Sequence, residues 1–293
     1  MRYLSNDLKG FENRTLYVIG NGFDLFHNIP SSYMHFYHWL KSKGKDDFIF
    51  KMEKIFPSMK NGESLLWKDF ERALGQYDVN SIFEDAVKGL NRIEDEKTKY
   101  VANEALKPII EQIKPLIKEW VKQIDLSKIT PLLCLPNDSW YITFNYTLTL
   151  EKVYCIPPER ICHIHNSIND KSIIVGHKNL VDGDKYEKEK IDWYEECAKK
   201  SIVEIMNQMV KIPFNNRNNH EVFWRKIKGL DRIVVLGHSM SEIDEDYFGY
   251  IKGVADKNAH WHISKFSPSD EERISMCLEK RKIENLNRWI FNL

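Results

Sequence analysis

Short apolar runs bounded by turn residues alternate along this chain with long stretches in which apolar side chains return every three or four positions. The first run, "TLYVIG" at 15–20, is nearly continuous, which fits a strand covered on both faces better than a half-exposed one. Four others share its character: "SWYITFN" at 139–145, "RICHIH" at 160–165, "DRIVVLGHS" at 231–239 and "AHWHIS" at 259–264, with "SIIVGH" at 172–177 a weaker sixth. Several end in Gly, Asn, His or Ser. The carboxyl ends of the strands form the ligand crevice of an open α/β sheet, so these terminal residues are the first candidates for a site.

The stretch between the first and second runs reads as helix. "SSYMHFYHWLKSK" opens with serines suited to an N-cap. "ESLLWKDFERALGQYD" sets Leu66, Trp67, Phe70, Ala73 and Leu74 on one amphipathic face. "EDEKTKYVANEALKPIIEQIKPLIKEWVKQI" keeps the helical period, and Pro108 and Pro115 are expected to kink or divide it. A second helical stretch, 184–230, contains "SIVEIMNQMVKIPF" followed by the polar loop "NNRNNH". The pattern predicts an α/β fold: a Rossmann-like, mostly parallel sheet of about six strands flanked by helices, with a large helical insertion after the first strand. It reads as a single domain over 1–293, with the insertion at about 33–130 and the second helical segment at about 184–230.

Composition narrows the function classes. The 43 basic and 43 acidic side chains cancel, so no overall field points to nucleic acid or an anionic membrane. Five widely spaced cysteines with no C-x-x-C pair and no secretory signal ahead of them predict a reduced, cytoplasmic protein. No apolar run approaches the roughly 18 residues of a membrane span, so a soluble chain without a membrane partner is expected. The 8 Trp, 13 Tyr and 15 Phe fit a core that gains apolar burial from large side chains.

Four segments carry candidate chemistry. Gly20-Asn21-Gly22 is part of a dinucleotide fingerprint, with Leu25 at its third glycine position. Gly20 and Gly22 permit a close ligand approach, and the helix that follows offers free amides. Asp24 would be stabilised in a first helical turn but would repel a pyrophosphate held there, so it either serves another ligand group or caps the helix. In "ITFNYTLTLEKVY" the strand-end Asn145, followed by Tyr146 and Thr147, can serve a ribose hydroxyl, a carboxamide or a water, or simply close the strand. "CHIH" sets His163 and His165 on one face of a presumed strand, with His177 and His238 at other strand tips. Two ligands without a spaced Asp, Glu or Cys make a weak metal set, so no metal is assigned. One histidine there suits a general base, or a hydrogen-bonded structural role. "VLGHSMSEIDEDYFGYI" repeats the strand, glycine and helix design at Gly237, His238 and Ser239, with Ser241 a candidate N-cap and Asp244 either its box partner or a ribose ligand. The order Gly-His-Ser-Met-Ser is no G-x-S-x-G elbow, which disfavours a serine hydrolase.

Taken together, "LYVIGNGFDLFHNIPSSYMHFYHWL", "WKDFERAL", "FNYTLTLEKVY", "CHIHNSI" with "IIVGHKN", "VVLGHSMSEIDEDYFGYI" and "HWHISKFSPSD" resemble, in order, the AbiH family of bacterial abortive-infection proteins that act against bacteriophages. The likeness runs from about 15 to 270. A more distant resemblance is to sirtuin-like domains, in which Gly20, Gly22, Asp24, Ile29 and Pro30 keep the spacing of the first nucleotide-binding turn, with Asp24 for Ser and Asn28 for Gly as departures. That resemblance implies that Asn145 handles the nicotinamide ribose and its water, that His165 occupies the base position, and that Gly237-His238-Ser239 lines the adenosine half. No four-cysteine zinc module is present, which disfavours deacylation. The implied reading is a phage-defence protein that hydrolyses the nicotinamide N-glycosidic bond of NAD. Asn145, His165 and Asp24 would be catalytic. Gly20, Asn21, Gly22, Phe23, Thr143, Tyr146, Gly237, His238, Ser239 and Asp244 would bind the nucleotide, with NAD as substrate and no other cofactor. A phage component as trigger and a homo-oligomer are the further partners considered. The rivals are a metal-dependent nuclease or nucleotide hydrolase, and a non-catalytic sensor of a nucleotide or phage component.

Overall fold

In the computed structural model the described residues are 14–56, 67, 69–88, 97–186, 193–212, 220–283 and 288–292. Their packing divides the chain into two compact units: Met1–Ser32, Val121–Ile173 and Ile212–Leu293 form one, Tyr33–Trp120 and Ile174–Lys211 the other.

The first unit holds a six-stranded sheet: β1 Thr15–Ile19, β2 Trp140–Thr143, β3 Ile161–His163, β4 Arg232–Leu236, β5 His260–Lys265 and β6 Arg288–Asn292. The spatial order is β3-β2-β1-β4-β5-β6 and every pairing is parallel. This is the doubly wound Rossmann order, whose switch point lies between β1 and β4. All five residues of β1 are buried, as the continuous apolar run implied. Alternation sends Leu16 and Val18 to one face, with Ile142, Phe144, Ile233, Val235, Phe248 and Ile251. It sends Tyr17 and Ile19 to the other, with Tyr141, Val234, Leu236, Phe23, Leu150 and Tyr154. Tyr17 and Tyr141 are paired across β1 and β2 and stack at 5.1 Å. Covering both faces requires helices on both, and the helical crossovers between parallel strands supply them.

Five of the six expected strands form, and the sixth differs. "SIIVGH" is not a strand of the sheet. His177 N–H donates to Met209 O and Lys211 N–H to His177 O, an isolated parallel bridge inside the helical unit. Gly176 permits it, since a Cβ there would sit 1.7 Å from Met209 O. The sixth strand is instead Arg288–Asn292, beside β5.

The second unit is helical. Its buried aromatic centre includes Phe36, Trp67, Phe70 and Trp120. The helix Phe70–Leu74 buries Phe70, Ala73 and Leu74 as its periodicity predicted, while Leu66 lies outside the described residues. The polar loop "NNRNNH" also lies outside them, apart from His220. Pro108 and Pro115 do not divide their helix, which runs unbroken from Thr98 to Lys122. Both prolines are on its exposed side, as are Glu104 and Glu111, whose carbonyls lose their amide partners there. Water can satisfy those carbonyls, which lowers the penalty for an interior proline, although the ring still crowds the carbonyl four residues back.

Candidate active site at the carboxyl ends of β1 to β4

The loop after β1 and the loop after β4 are stitched together. Gly20 N–H donates to Leu236 O at 3.0 Å and Gly22 N–H to Gly237 O at 2.8 Å. Gly237 has φ +64°, and a Cβ on it would stand 2.0 Å from Phe23 N. A Cβ on Gly20 would stand 2.5 Å from His238 Cα. The glycines therefore let two backbones touch at the switch point, where the sequence suggested room for a ligand. The Gly22 amide, which a phosphate cradle would use, is already bonded.

The helix α1, Asn21–Phe26, follows, and Gly20 occupies its N-cap position with no side-chain cap. Asp24 is no cap. Its side chain is fully buried, with Oδ2 accepting from Thr147 Oγ1 at 2.6 Å and Oδ1 from Thr149 Oγ1 at 2.9 Å. Both oxygens are occupied, so the carboxyl braces α1 against the loop after β2 and does not present itself to an open sugar site. Burial pushes its pKa up to about 6, against the opposing hydrogen bonds from Thr147, Thr149, Asn145 and Ser31. Phe23, also assigned to ligand binding, is fully buried with its ring 4.6 Å from that of His27 and 5.5 Å from that of Tyr154. Its place in the core follows from α1 turning that side onto β1.

The raised pKa has a measurable consequence. A carboxyl whose folded pKa lies above its unfolded value holds an extra proton in the folded state between the two, so stability rises as pH falls from about 6 towards 3.8 and is lost as pH rises through 6. Keeping the charge buried at neutral pH costs roughly 3 kcal/mol on this scale. Asp24→Asn, which retains the shape, is expected to be more stable than wild type in urea at pH 7.5 by up to that amount and to match it near pH 4. Parallel stability curves across this range would contradict the assignment.

Asn145 lies just past β2, with its backbone N–H donating to Thr143 Oγ1 at 3.1 Å. Thr143 is thus a support for Asn145. Its side chain is nearly buried, Nδ2 donates to Gly20 O at 3.2 Å, and Oδ1 has no hydrogen-bond partner. An unpartnered buried acceptor is costly and signals a missing donor.

The two histidines of "CHIH" part company, because β3 ends at His163. His163 Nε2 lies 2.7 Å from Glu151 Oε1 and its Nδ1 3.2 Å from Asn145 O. His165 falls in the turn beyond, with its ring edge-on to Phe144 at 5.1 Å and Nε2 3.4 Å from Asp244 Oδ1. The other oxygen of Asp244 lies 3.9 Å from His238 Nε2. His238 Nδ1 accepts from Met240 N–H at 2.8 Å, which puts the proton of a neutral His238 on Nε2, towards Asp244. Asp244 therefore joins the ends of β3 and β4 through two buried histidines. It holds the N-cap position of the helix Glu245–Val254 without capping it, and Ser241 is not the cap but the start of the preceding turn. His177 joins none of these groups. It belongs to the helical unit, where its Nε2 lies 3.2 Å from Met206 O.

Asn21 and Ser239 are exposed, and Tyr146 is half-buried. The brace partners Thr147 and Thr149 could not have been identified from spacing, since they stand 123 and 125 residues from Asp24. The Glu151–His163 pair is a further contact, between residues 12 apart in the chain. Among the described residues no group of three or more His, Cys, Asp or Glu side chains converges as a metal ion requires, and no helix is long and apolar enough to cross a membrane.

The family model described as "Bacteriophage abortive infection AbiH" matches residues 16–265, from the second residue of β1 to the last of β5. No curated protein and no solved structure gives a match. The match spans the stitched glycine loops, the Asp24 brace, Asn145 and the two histidine pairs. The chain therefore belongs to the AbiH family of bacteriophage abortive-infection proteins, which supports a role in defence against phage.

Proposed function

We propose that this AbiH protein acts in defence by hydrolysing the N-glycosidic bond between ribose and nicotinamide in NAD or a similar nucleotide. The observation that carries the reading is the buried Asn145 amide at the end of β2, beside the β1/β4 switch point, with Oδ1 lacking a donor. The resemblance of its segments to sirtuin-like nucleotide sites supports the same placement. In the reaction the C1′–N bond breaks, and its electron pair neutralises the pyridinium nitrogen as nicotinamide leaves. Water adds to the oxocarbenium-like C1′ and releases a proton. Asn145 Oδ1 accepts a hydrogen bond from that water, and His165, oriented by Asp244, receives the proton. Asp24 acts as a positioning residue through Asn145 and Thr147. The Gly22 amide is engaged by Gly237 O, so the phosphates lie towards the exposed Ser239 side of the mouth.

The test is incubation of purified protein with NAD, alone and with phage lysate, followed by chromatography for nicotinamide and ADP-ribose in equal amounts. Release that survives a chelator supports the reading, and release abolished by it favours the metal-dependent rival. NAD binding without turnover in any arm would overturn hydrolysis in favour of a nucleotide sensor.

A further inference from the structure

Phe266 is an aromatic side chain that, among the described residues, has no aromatic partner, and it lies beside the carboxyl end of β1. It follows β5 directly, and its side chain is 51% exposed. Among the described residues no ring packs against it, although the rings of this unit at Tyr17, Phe23, Phe144 and Tyr247 all have ring neighbours. The ring instead lies against the backbone of Gly22, so closely that a Cβ on Gly22 would come within 2.6 Å of its Cε2. It is therefore seated on the first turn of α1, directly beside the switch point.

The backbone beneath it is held firmly. Ser267 and Asp270 form a reciprocal capping box at the start of the helix Pro268–Lys280, and Phe266 N–H also donates to Asp270 Oδ2. Lys265 is paired with Glu271, so the adjacent charge is neutralised. A rigid, half-exposed phenyl ring on the first turn of α1 matches what a planar base needs on one face.

We propose that Phe266 is the stacking platform for the purine base of the nucleotide, which assigns the adenine half of the ligand to the β1/β5 side of the mouth. This rests on the nucleotide reading above. The glycine at position 22 then has a second purpose: it leaves room for the ring, whose Cε2 would otherwise meet a Cβ.

The test uses the full chain and three probes: NAD, ADP and ribose 5-phosphate, titrated against wild type, Phe266→Ala and Phe266→Trp. Loss of a base stack is expected to weaken NAD and ADP by about tenfold or more in Phe266→Ala. Phe266→Trp should retain their affinity and show quenching of the added indole. Ribose 5-phosphate should bind both variants as it binds wild type. If wild type binds NAD and ADP but Phe266→Ala binds them equally well, the platform is wrong and the nucleotide reading stands. If Phe266→Ala weakens all three probes alike, the residue shapes the loop and does not stack. If wild type binds none of the probes, both proposals fall.

Discussion

Gly237→Ala is expected to cost about 4 kcal/mol or more, enough to leave much of the protein unfolded or insoluble. Two effects add. The φ of +64° is strained for any residue with a Cβ, by roughly 1–2 kcal/mol. The new methyl would also stand 2.0 Å from Phe23 N and 2.5 Å from Gly22 C, and because these are backbone atoms no rotamer can move them aside. Gly229 separates the two contributions: its φ is +76° with nothing within 4 Å of a built Cβ, so Gly229→Ala should show the backbone penalty alone. Urea midpoints for the two variants decide the matter. Equal losses would mean that contact between the β1 and β4 loops contributes little to stability.

Asn145→Ala should lower nicotinamide release by about 100-fold or more, as removal of a preorganised polar group at a reacting centre commonly does. His165→Ala should act similarly by removing the proton acceptor. Asn145 also ties its Nδ2 to Gly20 O, so a loss of about 1 kcal/mol in stability is expected for that variant as well. The readout must separate the two effects. NAD affinity should remain near wild type while single-turnover release collapses, and urea unfolding should confirm that the variant is folded under assay conditions. Unchanged release in both variants would remove Asn145 and His165 from the chemistry.

The strands show how much of the fold was legible in sequence. "TLYVIG" and "DRIVVLG" are buried on both faces, so their apolar continuity is a direct signature of a covered parallel strand. "SIIVGH" carries the same signature and misleads, because burial alone does not say which backbone will take its hydrogen bonds. Its amide at His177 finds Met209 O in the helical unit. The prolines at 108 and 115 misled in the other direction. Their penalty depends on whether the orphaned carbonyls face water, and helix rotation decides that.

The structure sets the candidate site residues in positions that spacing alone did not specify. Asn145, His165, His238 and Asp24 all lie at the ends of β1 to β4, since apolar runs that terminate in polar residues mark the carboxyl edge of a sheet. Yet Asp24 meets two threonines, the glycines meet each other, Phe23 turns into the core, and His163 and His165 diverge where β3 stops.

The sequence by itself determined an α/β chain with glycine-containing loops at strand ends, helical segments after β1, and a family likeness that matches over residues 16–265. These features are local, resting on periodicity, turn chemistry and motif order within a few residues. Tertiary structure alone decided the strand order, the pairing of Gly22 with Gly237, the bracing of Asp24 from more than 120 residues away, and the sharing of Asp244 by His165 and His238. Each of those depends on which distant backbone or side chain satisfies a buried polar group, a choice made only when the sheet assembles and water leaves.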